Sequence, residues 1–214
     1  MAHYDGVMTG ISTPARNTFR EQQWREAHDR YLECAREVFG RLGYHTATVA
    51  DIVAAANGSR ATFYAHFRDK ADIAAALFER ILAATGALYR IPARFPELTR
   101  DRVRAWLDEH VLAFWTRYAV EIDVLTQAVA DDPRVAARHY QWGVDAAREL
   151  SPYLALWTGE HEQAGLTRAL LLVLQLEQAC YHWLIRGVGH DRELVLDVLA
   201  DVWWRELTFL RAGP

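Results

Sequence analysis

The chain has 214 residues, a formal net charge of −4 and a hydrophobic fraction of 51%. This composition is sufficient for a buried core, and the acidic balance argues against a general affinity for nucleic acid. The longest unbroken apolar run, residues 169–174, is far shorter than the roughly 20 residues that a membrane-spanning helix needs. Since the first ten residues also lack the apolar core of a signal peptide, we expect a cytoplasmic protein that does not enter a membrane.

Apolar residues recur at three- and four-residue spacing along most of the chain, which is the helical period. With only six prolines and few strand signals, this predicts an all-α protein of eight to ten helices. Cys34 and Cys180 lie in separate helical patterns. We expect two buried thiols, with a disulfide as the alternative.

The N-terminal third begins with a polar, turn-rich stretch, residues 1–17, which predicts a flexible arm. A first helix is predicted over 18–42, with Trp24 and Tyr31 among its core-facing positions. Thr48 and Asp51 have the spacing of a capping box and predict a second, short helix that ends near residue 56.

The next segment, NGSRATFYAHFRDK from residue 57 to residue 70, predicts a tight turn followed by a third helix over 60–67. Asn57-Gly58 is a turn pair, and Ser59 is a good N-cap. Asp69 can cap a fourth helix that continues to about residue 90. Two short helices joined by a tight turn are typical of a helix-turn-helix domain.

Phe63 and Phe67 are four residues apart, so they share one face of the third helix and can anchor it inward. The Tyr64 hydroxyl is then available for a phosphate oxygen, and Arg60 is the best candidate for reading a base, since arginine pairs with guanine through two hydrogen bonds. Two readings of His66 stay open, a packed, hydrogen-bonded histidine or a phosphate ligand.

The pattern Thr48-Val49-x-Asp51-Ile52-x-x-x-Ala56, followed by Ser59-Arg60-Ala61-Thr62-Phe63-Tyr64-x-His66-Phe67-x-x-Lys70, resembles the DNA-binding signature of TetR-family transcriptional regulators. The sequence departs from that family in the turn, where Asn57-Gly58 replaces a glycine and a small apolar residue. We expect Asn57 to take the left-handed conformation, and Gly58 to leave out a buried side chain. The resemblance implies DNA contacts, mostly to the backbone, by Thr48, Ser59, Arg60, Ala61, Thr62, Tyr64, His66 and Lys70.

The stretch IPARFPEL, residues 91–98, contains two prolines and is the best domain boundary. It separates a helix-turn-helix domain with its connecting helix, 18–90, from an effector-binding and dimerisation domain, 91–214. Further helices are predicted over 99–118, 121–130, 134–157, 161–186 and 190–211.

A single helix-turn-helix has a small footprint, so such modules usually dimerise and place their recognition helices about 34–36 Å apart. The last two predicted helices carry apolar stripes that suit a homodimer interface, and the resemblance implies a four-helix contact; packing within one chain is the alternative reading. The stripe residues are Leu166, Leu170, Val173, Leu174, Tyr181, Leu184, Leu194, Val198, Val202, Leu207 and Leu210.

The second domain is rich in aromatic residues with polar side chains among them. An apolar cavity with a few polar groups is typical of a small-molecule site, although any one aromatic can equally belong to the core. The resemblance implies a lipophilic effector whose binding moves two DNA-binding heads apart through the fourth helix. The candidate effector residues are Trp106, Phe114, Trp115, Tyr118, Gln127, Trp142, Trp157, Gln175, Glu177, Gln178 and Tyr181.

The sequence lacks the Glu-x-x-His pairs of di-iron bundles, the His-Glu-x-x-His zinc motif and glycine-rich phosphate loops. We therefore expect neither catalysis nor a metal or cofactor, and we expect His139 and His161 to be exposed polar residues. The resemblance implies a ligand-responsive regulator that binds a palindromic operator in double-stranded DNA as a repressor, with activation as an open alternative. The alternative is a helical protein-interaction or sensor module with little DNA binding.

Overall fold

The computed structural model describes residues 14–214, with side chains from Phe19 onward, and every regular element in this range is helical. The all-α prediction is thereby confirmed. Within the same range, no helix is both long and apolar enough to cross a bilayer. The α-helices are α1 (Pro14–Leu42), α2 (Val49–Ala55), α3 (Arg60–His66), α4 (Lys70–Glu79), α5 (Leu82–Ala93), α6 (Arg100–Trp106), α7 (Leu112–Arg117), α8 (Ala119–Asp131), α9 (Pro133–Arg148), α10 (Glu162–Cys180) and α11 (Arg192–Ala212).

Two π-helical turns modify the long helices of the second half. Leu107–Val111 joins α6 to α7, and Tyr181–Ile185 extends α10. The first helix begins at Pro14 rather than near residue 18, and the predicted arm up to residue 13 lies outside the described residues.

Helix α4 is the element that both halves of the chain share. It packs on α1 in the N-terminal unit, which begins with helices α1 to α3, and on α8 and α9 in the second half of the chain. Its composition explains this position, because the sequence KADIAAALFE has small or apolar side chains on nearly every face. The buried residues are Ala71, Ile73, Ala74, Ala75, Leu77 and Phe78.

The prediction of one helix from Asp69 to residue 90 was wrong, because α4 ends at Glu79 and α5 begins at Leu82. The Ile81 N–H donates to the Phe78 carbonyl (2.9 Å), three residues back, and this tight turn ends the regular α-helical pattern. Neither proline nor glycine occurs at the break, so no local signal could have predicted it.

The predicted helix over 134–157 was also too long, since α9 ends at Arg148. Pro152 provides the reason: the residue before a proline is disfavoured in the α conformation. A short 3₁₀ turn, Ser151–Tyr153, follows instead.

The first of the two prolines at 91–98 does not interrupt the helical pattern, because α5 continues through Pro92 to Ala93. Proline has no N–H, so the Leu88 carbonyl loses its helical donor. The indole N–H of Trp106 donates to this carbonyl instead (3.1 Å), and the Tyr153 hydroxyl donates to the Pro92 carbonyl (2.7 Å). The helix therefore tolerates Pro92 because Trp106, on a different helix, replaces the missing donor.

Trp106→Phe should destabilise the fold by about 1–3 kcal/mol, because it leaves the buried Leu88 carbonyl without a donor. Adding Pro92→Ala should recover part of this loss, since an alanine at that position supplies the helical N–H. Urea unfolding of the two single variants and the double variant checks this. Additive effects of the two changes would contradict the proposed replacement.

Candidate functional site

Helices α2 and α3 are each fixed by a side-chain cap at the N-terminus. Thr48 Oγ1 accepts from the Asp51 N–H (3.2 Å), and the Asp51 carboxylate accepts from the Thr48 N–H (2.9 Å), which completes a capping box. The Thr48 hydroxyl also donates to the Asp51 carboxylate (2.6 Å), and this bond, together with the one from the Thr48 N–H, lowers the pKa of Asp51. At α3, Ser59 Oγ accepts from the Thr62 N–H (3.0 Å). The caps explain why these short helices begin where they do.

Helix α3 has a buried face and an exposed face. Phe63 and Phe67 are buried, and Phe63 meets the Tyr31 ring edge-on with 5.7 Å between ring centroids. On the opposite face Arg60 and Ala61 are exposed, and the Tyr64 side chain is 55% exposed. The helix therefore presents a short polar surface while its aromatic residues hold it against α1.

The turn between α2 and α3 contains one left-handed residue. Asn57 takes the left-handed conformation (φ 47°), as expected, and Gly58 does not have a positive φ. A Cβ on residue 58 would lie 2.2 Å from the Tyr31 hydroxyl oxygen, which itself donates to the Ser59 carbonyl (3.0 Å). Gly58 is therefore matched to Tyr31, whose hydroxyl occupies the space that a side chain would need.

His66 and Lys70 are held more deeply than the polar face of α3. The His66 ring packs against Trp24 and Phe67, and its Nδ1 is buried without a hydrogen-bond partner among the described residues. Burial lowers the pKa of His66 and favours the neutral imidazole. Lys70 Nζ donates to the Tyr44 carbonyl (2.7 Å) and lies over the Tyr44 ring, so it ties α4 to the turn before α2.

The second half contains a cavity of about 360 Å³ between the helices that adjoin α4. Its wall is mainly apolar and aromatic, with a polar group of residues at one end. The lining residues are Phe78, Thr85, Leu88, Tyr89, Phe114, Trp115, Ile122, Leu125, Thr126, Val129, His139, Leu174, Glu177, Gln178 and Tyr181.

Glu177 is the acidic residue of this wall. Its side chain is 18% exposed, and burial raises its pKa to about 7. The nearest ionisable neighbour is His139, whose Nε2 lies 3.6 Å from Glu177 Oε2 and whose pKa burial lowers. Nearby, the Tyr181 hydroxyl donates to Asp123 Oδ1 (3.0 Å), which fixes the orientation of the tyrosine ring.

The structure brings five of the predicted effector residues together in this wall: Phe114, Trp115, Glu177, Gln178 and Tyr181. The other six do not line it. Trp106 donates to the Leu88 carbonyl and Trp157 to the Leu210 carbonyl. Trp142 packs against Phe78, and Tyr118 packs against Phe114. Gln127 donates to Asp123, and Gln175 is exposed.

His139 was expected to be an exposed polar residue, and this was wrong. Its side chain is 27% exposed and faces the cavity. The signal was present in the sequence, because Val135, Trp142 and Gly143 lie three or four residues away on the inner face of α9.

The predicted dimer residues divide into three groups by exposure. Leu170, Val173, Tyr181, Leu207 and Leu210 are buried within the chain, and Leu166, Leu174 and Leu184 are half-buried. Three residues at four-residue spacing on α11 are exposed instead, and they form one stripe: Leu194 (62%), Val198 (52%) and Val202 (37%). We refer to these three residues as the α11 stripe.

Comparison with known proteins agrees with this geometry. Residues 32–77 match the family model of bacterial regulatory proteins of the TetR family. Over these residues the N-terminal unit is similar to that family. The resemblance seen in the motif is therefore confirmed, and the matched segment covers α2, α3 and most of α4.

The whole fold also resembles solved structures of TetR-family regulators. A regulator from Pectobacterium atrosepticum is 22% identical with a TM-score of 0.57, covering 90% of this chain and 98% of that one. A putative regulator from Syntrophomonas wolfei is 14% identical with a TM-score of 0.62, over 88% and 96%. A regulator from Aquifex aeolicus is 20% identical with a TM-score of 0.56, over 86% and 99%. No curated protein matches the sequence.

Gly58→Ala should destabilise the helix-turn-helix by about 1–3 kcal/mol, because the new methyl group overlaps the Tyr31 hydroxyl. Tyr31→Phe alone should cost about 1 kcal/mol for the lost bond to Ser59. In the double variant the alanine methyl group gains part of the space that it needs. The loss in free energy of unfolding should therefore be smaller than the sum of the losses in the two single variants. Thermal and urea unfolding measure this, and a strictly additive result would contradict the matched pair.

Proposed function

We propose that the protein is a ligand-responsive transcriptional repressor that binds a palindromic operator as a homodimer and is released by a small lipophilic effector. The observation that carries this proposal is the arrangement of α3, whose aromatic face is buried under α1 while its polar face is exposed. A helix needs this arrangement to enter a major groove from a rigid support.

The proposed DNA contacts fall into two kinds. Arg60 stands at the first turn of α3 and is the residue proposed to read a base edge. Ser59, Thr62 and Tyr64 surround it and are proposed to bond phosphates or to fix the helix in the groove, with Thr48 doing so from the start of α2. Such contacts position the protein without reading sequence.

Lys70 and His66, which were also predicted to contact DNA, support the helix-turn-helix from the side of the protein interior. Lys70 bonds the turn before α2 and His66 packs against α1. We propose that both act mainly by holding α2 and α3 in their relative orientation, and that Ala61 allows close approach of the α3 backbone to DNA.

The α11 stripe supports a homodimer through α10 and α11. Leu194, Val198 and Val202 lie on successive turns of α11, and Leu171 is an exposed apolar residue on α10. A two-fold axis through this surface would pair each helix with its own copy, which is the usual geometry of a C2 dimer. Two DNA-binding domains are needed to reach successive major grooves.

The proposed effector site is the 360 Å³ cavity. Phe78 lines it from α4 and His139 lines it from α9, so an occupant touches the helix that supports the DNA-binding domain. Binding can release DNA only through a difference in affinity between the operator-fitting dimer and a dimer with wider spacing.

Selection of bound fragments from random double-stranded DNA tests the function directly. We expect a two-fold symmetric site, with affinity that falls steeply as salt rises, because bound phosphates release counterions. A monomeric protein that binds no duplex at low ionic strength would contradict the proposed function, and would leave a helical protein-interaction module as the better description.

Arg60→Ala should weaken operator binding about tenfold or more, and should relax sequence preference at one position of each half-site. Tyr64→Phe should weaken it about fivefold, the value of one hydrogen bond. Arg102→Ala, which removes an exposed arginine on α6, is the matched control and should have no effect. Fluorescence-anisotropy titrations measure these affinities, and equal behaviour of Arg60→Ala and Arg102→Ala would refute the contact.

Val198→Glu should convert the dimer to a monomer, because it places a carboxylate in the α11 stripe. Operator affinity should fall about a hundredfold or more, since the second head no longer binds at high effective concentration. Tyr140→Glu introduces the same charge at an exposed aromatic position on α9 and should leave the dimer intact. Light scattering coupled to gel filtration distinguishes the two, and a dimeric Val198→Glu variant would exclude this interface.

A further inference from the structure

The cavity wall contains a carboxylate, Glu177, that accepts no hydrogen bond from the described residues. Its Oε2 atom is buried without a partner, while the side chain as a whole is 18% exposed. His139 Nε2 is 3.6 Å away, which is beyond hydrogen-bonding distance. A buried, ionised carboxylate without a partner is costly, so a donor brought by a ligand would gain a strong, charge-assisted bond.

The charges around Glu177 define which donor fits. The titratable groups near Glu177 are Tyr89 on α5, His139 on α9 and Cys180 on α10. Asp123 on α8 accepts a hydrogen bond from the nearby Tyr181 hydroxyl. Burial lowers the pKa of His139, so the imidazole is neutral near pH 7. Among the described residues that line the cavity there is neither lysine nor arginine. An anionic head group would therefore meet Glu177 without any countercharge.

The rest of the wall suits the body of an organic cation. Tyr89, Phe114 and Trp115 present aromatic rings to the cavity, and Leu125 and Leu174 add aliphatic surface. Aromatic faces attract a cation as well as an apolar group. A carboxylate together with several aromatic rings is therefore complementary to a lipophilic amine.

We propose that the cavity selects a lipophilic organic amine, with its ammonium group bound by the Glu177 carboxylate and its apolar body packed against Phe114, Trp115 and Leu125. This inference rests on the proposed function in taking the cavity as the effector site. It goes further by fixing the charge of the head group and the residue that binds it.

Three probes with one apolar body test the head group: phenylhexylamine, phenylhexanol and phenylhexanoate. Calorimetric titration of the full-length protein at pH 7.5 should rank the amine first and the carboxylate last. Glu177→Gln should weaken amine binding about tenfold or more and change alcohol binding less than about threefold. The matched control is Glu162→Gln, which removes an exposed carboxylate from the same helix and should change neither.

The pH profile of the unmodified protein gives a second test that does not depend on a variant folding. The pKa of Glu177 is about 7, raised by burial, so its carboxyl group is mostly protonated at pH 6 and ionised at pH 8. The alkylamine stays protonated throughout, so its affinity should rise about tenfold over this interval, while alcohol affinity stays level. In Glu177→Gln the amine should lose this dependence.

Equal affinities for the amine and the carboxylate, an unchanged amine affinity in Glu177→Gln, or the absence of binding by all three probes would overturn the inference. Operator binding without any probe tests the regulatory proposal separately. If the amine binds through Glu177 but the protein remains bound to its operator, the result supports the proposed ligand class and contradicts the proposed release of DNA by the ligand.

Discussion

The burial of α4 on both sides is the constraint on which the rest of the structure depends. Ala71, Ala74 and Ala75 are buried in this helix, and their small side chains allow α1 and α8 to approach it closely. Its first residue, Lys70, bonds the turn before α2, and Phe78 near its other end lines the cavity. Ten residues span about 15 Å, so one short, rigid helix connects the support of the exposed face of α3 to the cavity in the second half of the chain. A displacement of α4 would have to move both.

Polar contacts attach α4 and α1 to different helices of the second half. Arg134 on α9 pairs with Asp69, the N-cap residue of α4 (2.6 Å). Arg138 on α9 pairs with Asp72 (3.6 Å) and Glu79 on α4. These pairs are partly exposed, so each contributes little to stability, but together they fix the position of α9 along α4. The Arg36–Glu121 pair (2.6 Å) joins α1 to α8, and its glutamate is buried, so losing the arginine would leave an uncompensated charge. Because His139 follows Arg138 directly, a ligand that orders the cavity end of α9 acts next to the contacts that hold α4.

The features that the sequence predicted well are those with local causes. The Thr48–Asp51 capping box, the Ser59 cap and the left-handed Asn57 involve residues within three positions of each other, and all three are present in the structure. The features that it missed have partners far along the chain. The Leu88 carbonyl beside Pro92 depends on an indole eighteen residues away, and Gly58 is matched to Tyr31 on another helix. The break at Ile81 has neither a glycine nor a proline that could have predicted it.

Aromatic composition could locate the cavity only in part, because a tryptophan in the core and one in a cavity wall have the same sequence pattern. Trp106 and Trp157 are fixed by hydrogen bonds to backbone carbonyls, whereas Trp115 lies in the wall. The more specific signal is polar. Glu177 interrupts a stripe of inward-facing residues on α10 and the π-helical turn after it, formed by Leu170, Val173, Leu174 and Tyr181. A carboxyl group on such a face opposes folding unless a partner offsets its desolvation, and the only basic side chain within 4 Å among the described residues is a histidine whose pKa burial lowers. Under the proposal of a cationic ligand, binding would recover part of the free energy that this desolvated carboxylate costs the fold.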